Sequence, residues 1–237
     1  MSIPTLSIHT AEWAAGRRED GRARTRASTV LRTHPLTRLA ICLLALVVIV
    51  ALGYWARGSS LDVYLLRWIN LGYVSPALDA LSTAGYILGS VWFALLLAAG
   101  LFAAGQRGVG ASLAVATVAN SLLVFGLKLL FDLPRPWQLL GGVRVTGQPP
   151  VGEGYFSGHA AQAFLLAYLL SRYFSPRWYL QATLYLLALL VSWSRVYDGE
   201  HFPVDVIVGM VEGLLAGYVW LRLWPWLVEK ARARRGP

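Results

Sequence analysis

Residues 109–131, VGASLAVATVANSLLVFGLKLLF, form a run of 23 residues interrupted by one charge, Lys128. A helix of about 20 apolar residues crosses the hydrocarbon of a bilayer, so this stretch reads as a membrane span. The chain on either side supports that reading. Of its 237 residues, 57% are apolar and 14% charged, where a soluble domain carries about 25% charged residues. Too little polar surface is left to cover a water-soluble globule, and lipid is the expected solvent. Five more runs resemble the first: Leu39–Trp55, Ile87–Gly105, Gly158–Phe174, Trp178–Trp193 and Val204–Trp224. The fourth and fifth spans in chain order are short; Arg172 suits a snorkelling position at the end of one, and Ser175-Pro176 a turn before the other. Between spans one and two, Leu61, Leu65, Trp68 and Ile69 recur at helical spacing, as in a helix lying in the interface. The expected fold is all-α, an integral-membrane bundle of six transmembrane helices over residues 39–224. Residues 1–38 are expected to be a disordered basic tail and residues 225–237 a second basic tail.

The net charge is +9, and 19 of the 21 basic residues are arginines. Most of the excess sits in the two tails, which fits the positive-inside rule better than nucleic-acid binding. Placing both termini in the cytoplasm puts 15 basic residues inside and six outside: Arg57, Arg67, Lys128, Arg135, Arg144 and Arg195. Three of those six need an anionic partner, because they fall within the motifs described next. The arginine-rich usage points to a bacterial inner membrane with its site facing the periplasm. The single cysteine, Cys42, excludes an intrachain disulfide.

Three segments lie at the outer ends of spans. Lys128-Leu-Leu-Phe-Asp-Leu-Pro-Arg135-Pro136 closes span three, Phe156-Ser157-Gly158-His159 opens span four, and Ser194-Arg195-Val-Tyr-Asp-Gly-Glu-His201-Phe-Pro-Val-Asp205 joins spans five and six. Lys128, Arg135 and Arg195 supply permanent cations, and arginine's planar fork takes phosphate oxygens two at a time. Ser157 and Gly158 at a helix start offer unpaired N–H groups at the positive end of a dipole. His201 and Asp205, four apart, share a face if the last helix begins near His201. A carboxylate on one ring nitrogen fixes the tautomer and frees the other to attack.

A lysine, six residues, Arg-Pro; then Ser-Gly-His; then Ser-Arg, five residues, His, three residues, Asp: this pattern resembles the type-2 phosphatidate phosphatase superfamily, or lipid phosphate phosphatases, whose pocket is shared with vanadium haloperoxidases. The resemblance implies a metal- and cofactor-independent membrane lipid phosphatase. His201 would be the nucleophile, Asp205 its orienting partner and His159 the acid that protonates the leaving group. Lys128, Arg135, Ser157, Gly158 and Arg195 would hold the phosphoryl oxygens. The implied partners are the bilayer and a lipid phosphate or diphosphate: an isoprenoid diphosphate, phosphatidate, phosphatidylglycerol phosphate or a lipid A phosphate. Two rivals stand beside it, a vanadate-dependent haloperoxidase and a non-catalytic protein that binds or moves anionic lipid. The family has proline before Ser-Gly-His where this chain has Phe156, which predicts a looser or reshaped pocket.

Outside the motifs, Glu212 lies two helical turns beyond Asp205 on the same face, at a depth where a carboxylate is costly. Asn120 suits an interhelical hydrogen bond. Glu153, Asp198 and Glu200 read as solvated loop charges at the pocket mouth. His9 and His34 lie in the tail and make no claim to the site. The particular lipid and the oligomeric state are not legible.

Overall fold

The computed structural model describes residues 35–147, 152, 154–174 and 177–234. The greater part of the basic N-terminal tail, the Ser175-Pro176 turn and Glu153 lie outside them. Every regular element among the described residues is helical: α1 (Pro35–Ala56), α2 (Ser60–Leu71), α3 (Pro76–Gly89), α4 (Val91–Ala103), α5 (Arg107–Phe131), α6 (Pro136–Leu139), α7 (Gly158–Phe174), α8 (Trp178–Tyr197) and α9 (Pro203–Ala233). Three stretches are long and apolar enough to cross a membrane, Thr37–Ala56, Arg107–Leu139 and Pro203–Ala231, or up to four if the bent pair α3–α4 is one span. The chain is an all-helical integral membrane protein.

The second expected span differs from expectation. Within Ile87–Gly105 the helix breaks at Ser90, and α3 and α4 meet at 59°. Ser90 is extended (φ −73°, ψ 149°); its hydroxyl donates to the Ile87 carbonyl (2.8 Å) and accepts the Phe93 N–H (3.1 Å). Such local bonds replace the helical ladder at that residue. At the other end of the chain, α9 continues past Trp224 and through Pro225 to Ala233, so the helix takes in much of the expected second tail.

Helix α7 is the centre of the bundle: ten of its 17 residues are buried, including consecutive Ala160–Ala167. Helix α9 approaches it closely at glycines. A Cβ on Gly209 would lie 2.4 Å from the Ser157 carbonyl oxygen, and one on Gly213 would lie 2.1 Å from that of Ala161. Backbone-to-backbone contact of this kind is how small residues pack helices where lipid offers no hydrophobic drive. Outward faces are apolar, with Leu44, Val47, Leu52, Leu122, Phe125 and Leu130 among the exposed side chains, as suits contact with lipid tails.

Polar links cross the interior below the site. Trp220 donates to Ser112 (2.8 Å), Ser112 and Tyr173 share a bond of 2.8 Å, and Gln162 donates to Thr117 (3.0 Å). The Ser112–Trp220 contact and the shared cluster of Val124 and Val208 set one antiparallel register between α5 and α9. Asn120 of α5 and Glu212 of α9 are both buried, and neither the Glu212 carboxyl oxygens nor Asn120 Oδ1 makes a hydrogen bond.

Candidate active site

All three motif segments meet at one end of the bundle, and each is held there by its local sequence. Helix α5 ends at Asp132, the one described non-glycine residue with positive φ (42°), and Pro134 and Pro136 keep the chain from resuming it. This turn delivers Lys128 from the last helical turn and Arg135 from the residue before α6. The Ser157 hydroxyl accepts the Ala160 N–H (3.4 Å) and opens α7, presenting His159 in its first turn. Pro203 opens α9, so that Asp205 falls in the first turn with His201 just before it.

The ring of His201 sits between two of the segments. Arg135 Nη1 is 3.5 Å from its Nε2, and Asp205 Oδ2 is 3.7 Å from its Nδ1. The second distance exceeds hydrogen-bond range; Asp205 Oδ2 instead accepts the Phe202 N–H at 3.0 Å. Burial first, then the charges of Lys128, Arg135 and Arg195, hold the His201 imidazole well below the usual histidine range. It is therefore neutral at neutral pH, with a lone pair on one ring nitrogen. His159 lies against the ring of Tyr86 (centroids 4.8 Å apart), and its Nε2 is buried without a partner. The Arg195 guanidinium stacks on the same Tyr86 ring at 4.8 Å, so Tyr86 joins the second segment to the third. Nothing in the sequence marked this tyrosine.

Arg195 is fully buried, and its guanidinium is occupied on every nitrogen. Nε donates to Ser194 Oγ (3.1 Å), Nη1 to Glu200 (3.1 Å) and Nη2 to Asp198 (2.6 Å). Here the sequence reading is corrected: Asp198 and Glu200 are not solvated loop charges but buried partners of Arg195. Their position follows from the turn after α8, which folds back through the Glu200 and His201 N–H groups onto the Arg195 carbonyl. Burial pushes the Glu200 carboxyl up, against the opposing pull of Arg195 and Arg135.

A second correction concerns Ser157. Its N–H donates to the Asp205 carbonyl (3.0 Å) and is not free for an anion. The first-turn N–H groups of Gly158 and His159, which have no carbonyl within the helix, keep that capacity. Phe156 is fully buried in a cluster with Val50, Val124, Tyr155, Ala161 and Val208. Tyr155 donates its hydroxyl to the Val50 carbonyl. Aromatic burial thus anchors the segment before Ser157 where the family uses a proline ring.

One basic residue outside the motifs also belongs to the site. Arg57, in the turn after α1, donates from Nε to Asp205 Oδ1 (2.7 Å) and from Nη2 to the Pro134 carbonyl (2.6 Å). A lone arginine after an apolar run looks like an orientation charge, so sequence reading passes over it.

Lys128, Arg135 and Arg195 act on a buried histidine, and Asp205, Asp198 and Glu200 are buried with them, so the three motif segments form one charged cluster at the end of an apolar helical bundle. The comparisons agree: the chain belongs to the PAP2 superfamily, whose profile matches residues 109–229. It is 38% identical over 65 residues to a lipid A 4'-phosphatase of Porphyromonas gingivalis, covering 27% of each chain. Its fold matches the crystal structure of Aquifex aeolicus LpxE with a TM-score of 0.62 and 33% identity, over 70% of this chain and 97% of that one. It also matches a transmembrane PAP2 type phosphatidylglycerolphosphate phosphatase from Bacillus subtilis, with a TM-score of 0.64 over 81% of this chain and 96% of that one. At 24% identity, this second likeness is one of fold alone. The chain spans about a quarter to a half of the length of the curated relatives it matches.

Proposed function

We propose that the protein is a lipid phosphatase that hydrolyses a phosphomonoester or diphosphate of a membrane lipid through a phosphohistidine. The observation that carries this reading is the placement of His201: a buried imidazole with a carboxylate beside Nδ1 and a guanidinium beside Nε2. In the first step His201 Nε2 attacks the terminal phosphorus, the P–O bond to the leaving group breaks, and His159 gives that oxygen a proton. In the second, water attacks the phosphohistidine, His159 takes its proton, and phosphate leaves. Asp205 Oδ2, 3.7 Å from Nδ1, is the carboxylate oxygen that closes on the Nδ1–H and stabilises the imidazolium character as it develops. Lys128, Arg135 and Arg195, with the first N–H groups of α7, neutralise the equatorial oxygens, and such positioning and charge stabilisation are the main sources of catalysis in phosphoryl transfer.

A lipid A-type phosphate is the substrate class placed first, since the name of a 38%-identical relative carries it. Phosphatidylglycerol phosphate, phosphatidate and isoprenoid diphosphate follow. The purified protein should release phosphate from at least one of these four in detergent micelles. Activity should survive EDTA and fall with vanadate, which mimics five-coordinate phosphorus. No release from any of them, or a loss in EDTA restored by Mg²⁺, contradicts the proposal.

The six-span layout, with α3–α4, α7 and α8 also crossing, both termini in the cytoplasm and the site on the periplasmic face of an inner membrane, belongs to the same proposal. It rests on the 15-to-6 division of basic residues. Periplasm-active reporters fused at Gly142 or Gly199 should be active and one after Pro237 silent. The opposite pattern places the site in the cytoplasm.

A further inference from the structure

Asp205 has no exposed surface, and a carboxylate taken wholly out of water is costly unless it is paired. His201 is not the partner that meets this need, because Nδ1 stands 3.7 Å away and makes no hydrogen bond. Arg57 is. Its Nε is 2.7 Å from Asp205 Oδ1, its guanidinium lies 4.8 Å over the Phe202 ring, and its side chain is 6% exposed. The bond also settles which oxygen faces the histidine. With Oδ1 held by Arg57 and the Phe202 N–H on Oδ2 (3.0 Å), the carboxylate cannot rotate, and Oδ2 is the atom presented to His201 Nδ1.

The other arm of the guanidinium reaches the opposite side of the site. Nη2 donates to the carbonyl of Pro134, directly before Arg135, whose Nη1 is 3.5 Å from His201 Nε2. Space for this arm depends on a missing side chain: a Cβ on Gly154 would stand 2.9 Å from Arg57 Nη2 and 2.8 Å from the Pro134 carbonyl oxygen. One planar fork therefore ties down the supports of both ring nitrogens of His201. Lysine's point charge could meet the carboxylate but not both acceptors at once.

We propose that Arg57 is a positioning residue of this centre, which acts through Asp205 to aim His201 and does not itself touch the phosphoryl group. The inference rests on the phosphohistidine reading above.

A double-mutant cycle on the full-length protein tests it, with p-nitrophenyl phosphate and micellar phosphatidate as probes and thermal unfolding as the check on folding. Arg57→Gln should lower kcat about 10–100-fold, by analogy with removing the outer partner of a metal-ligating histidine, with KM little changed. Arg57→Lys should recover part of that loss. Groups that act as one unit are not additive, so Arg57→Gln/Asp205→Asn should be no slower than Asp205→Asn alone. The double variant buries no unpaired charge and keeps the comparison possible even if Arg57→Gln unfolds. Losses that multiply, or a raised KM with kcat kept, would overturn the assignment and make Arg57 a substrate ligand. A parent protein that releases phosphate from neither probe nor any of the other three lipids, or a His201→Ala variant as active as the parent, would instead overturn the phosphohistidine reading itself.

Discussion

His201→Ala is expected to have no measurable turnover on any phosphorylated substrate and to yield no acid-labile phosphoryl adduct when quenched during reaction. The expectation follows from the site: among the described residues, His201 is the imidazole set between Arg135 and Asp205, the position from which the proposed mechanism has it take the phosphoryl group. His159→Ala should behave differently. A departing alkoxide is strongly basic and needs a proton as its bond breaks, whereas nitrophenolate or a phosphorylated leaving group needs little help. General acid catalysis is worth about 10²–10⁴-fold, and the gain shrinks as the leaving group improves. His159→Ala should therefore cripple hydrolysis of an alkyl lipid monophosphate while sparing much of the rate on p-nitrophenyl phosphate. His201→Ala should be equally dead on both. Parallel losses in the two variants across a leaving-group series would remove the acid role from His159 and leave it as a phosphate-holding residue at the start of α7.

Arg195→Ala is expected to fail twice, in rate and in stability. In rate, it removes a guanidinium to which the proposed mechanism gives the neutralisation of the transferred group, a loss of about 10²–10³-fold by analogy with oxyanion donors. In stability, it leaves Asp198 and Glu200 buried without their nearest cation. Breaking a buried pair from one side costs about 3–5 kcal/mol, which should appear as a large fall in unfolding temperature in detergent. The two effects can be separated. Arg195→Ala/Asp198→Asn/Glu200→Gln removes the stranded charges along with the cation, so the fold should recover while activity stays low. A stable Arg195→Ala protein would mean that water reaches those carboxylates and that their burial does not depend on the arginine.

Arg195 also shows how differently one residue reads in sequence and in space. The Ser-Arg, five residues, His spacing picked it out as a phosphate ligand, but in the fold its guanidinium is already engaged by Ser194, Asp198 and Glu200. Those bonds use three of its five N–H groups, so an arriving phosphate meets the second N–H of Nη1 and Nη2 or displaces the carboxylates. The two acids thus set the geometry of the arginine and limit the net positive charge the pocket presents. Reading them as loop charges failed because polar residues in a connecting segment are solvated by default, and only the tight return of the chain onto the Arg195 carbonyl buries them.

By itself, the sequence determined that the chain is built of apolar, membrane-length helices and which three segments carry its polar motifs. These follow from composition, the length of apolar runs and fixed spacings along the chain, all of them local properties. The family entered as a resemblance of those motifs, and the profile match showed it. The break at Ser90 was decided in the structure by a serine's local hydrogen bonds, against an apolar run that reads as one span. Only tertiary packing decided that the Ser157 N–H serves the Asp205 carbonyl, that Tyr86 joins Arg195 to His159, and that Arg57 pairs with a carboxylate 148 residues away. The reason is physical. Membrane depth and helix length depend on summed hydrophobicity, which a linear pattern records. A buried charge is satisfied by whichever group the fold brings within about 3 Å, and separation along the chain places no limit on which group that is.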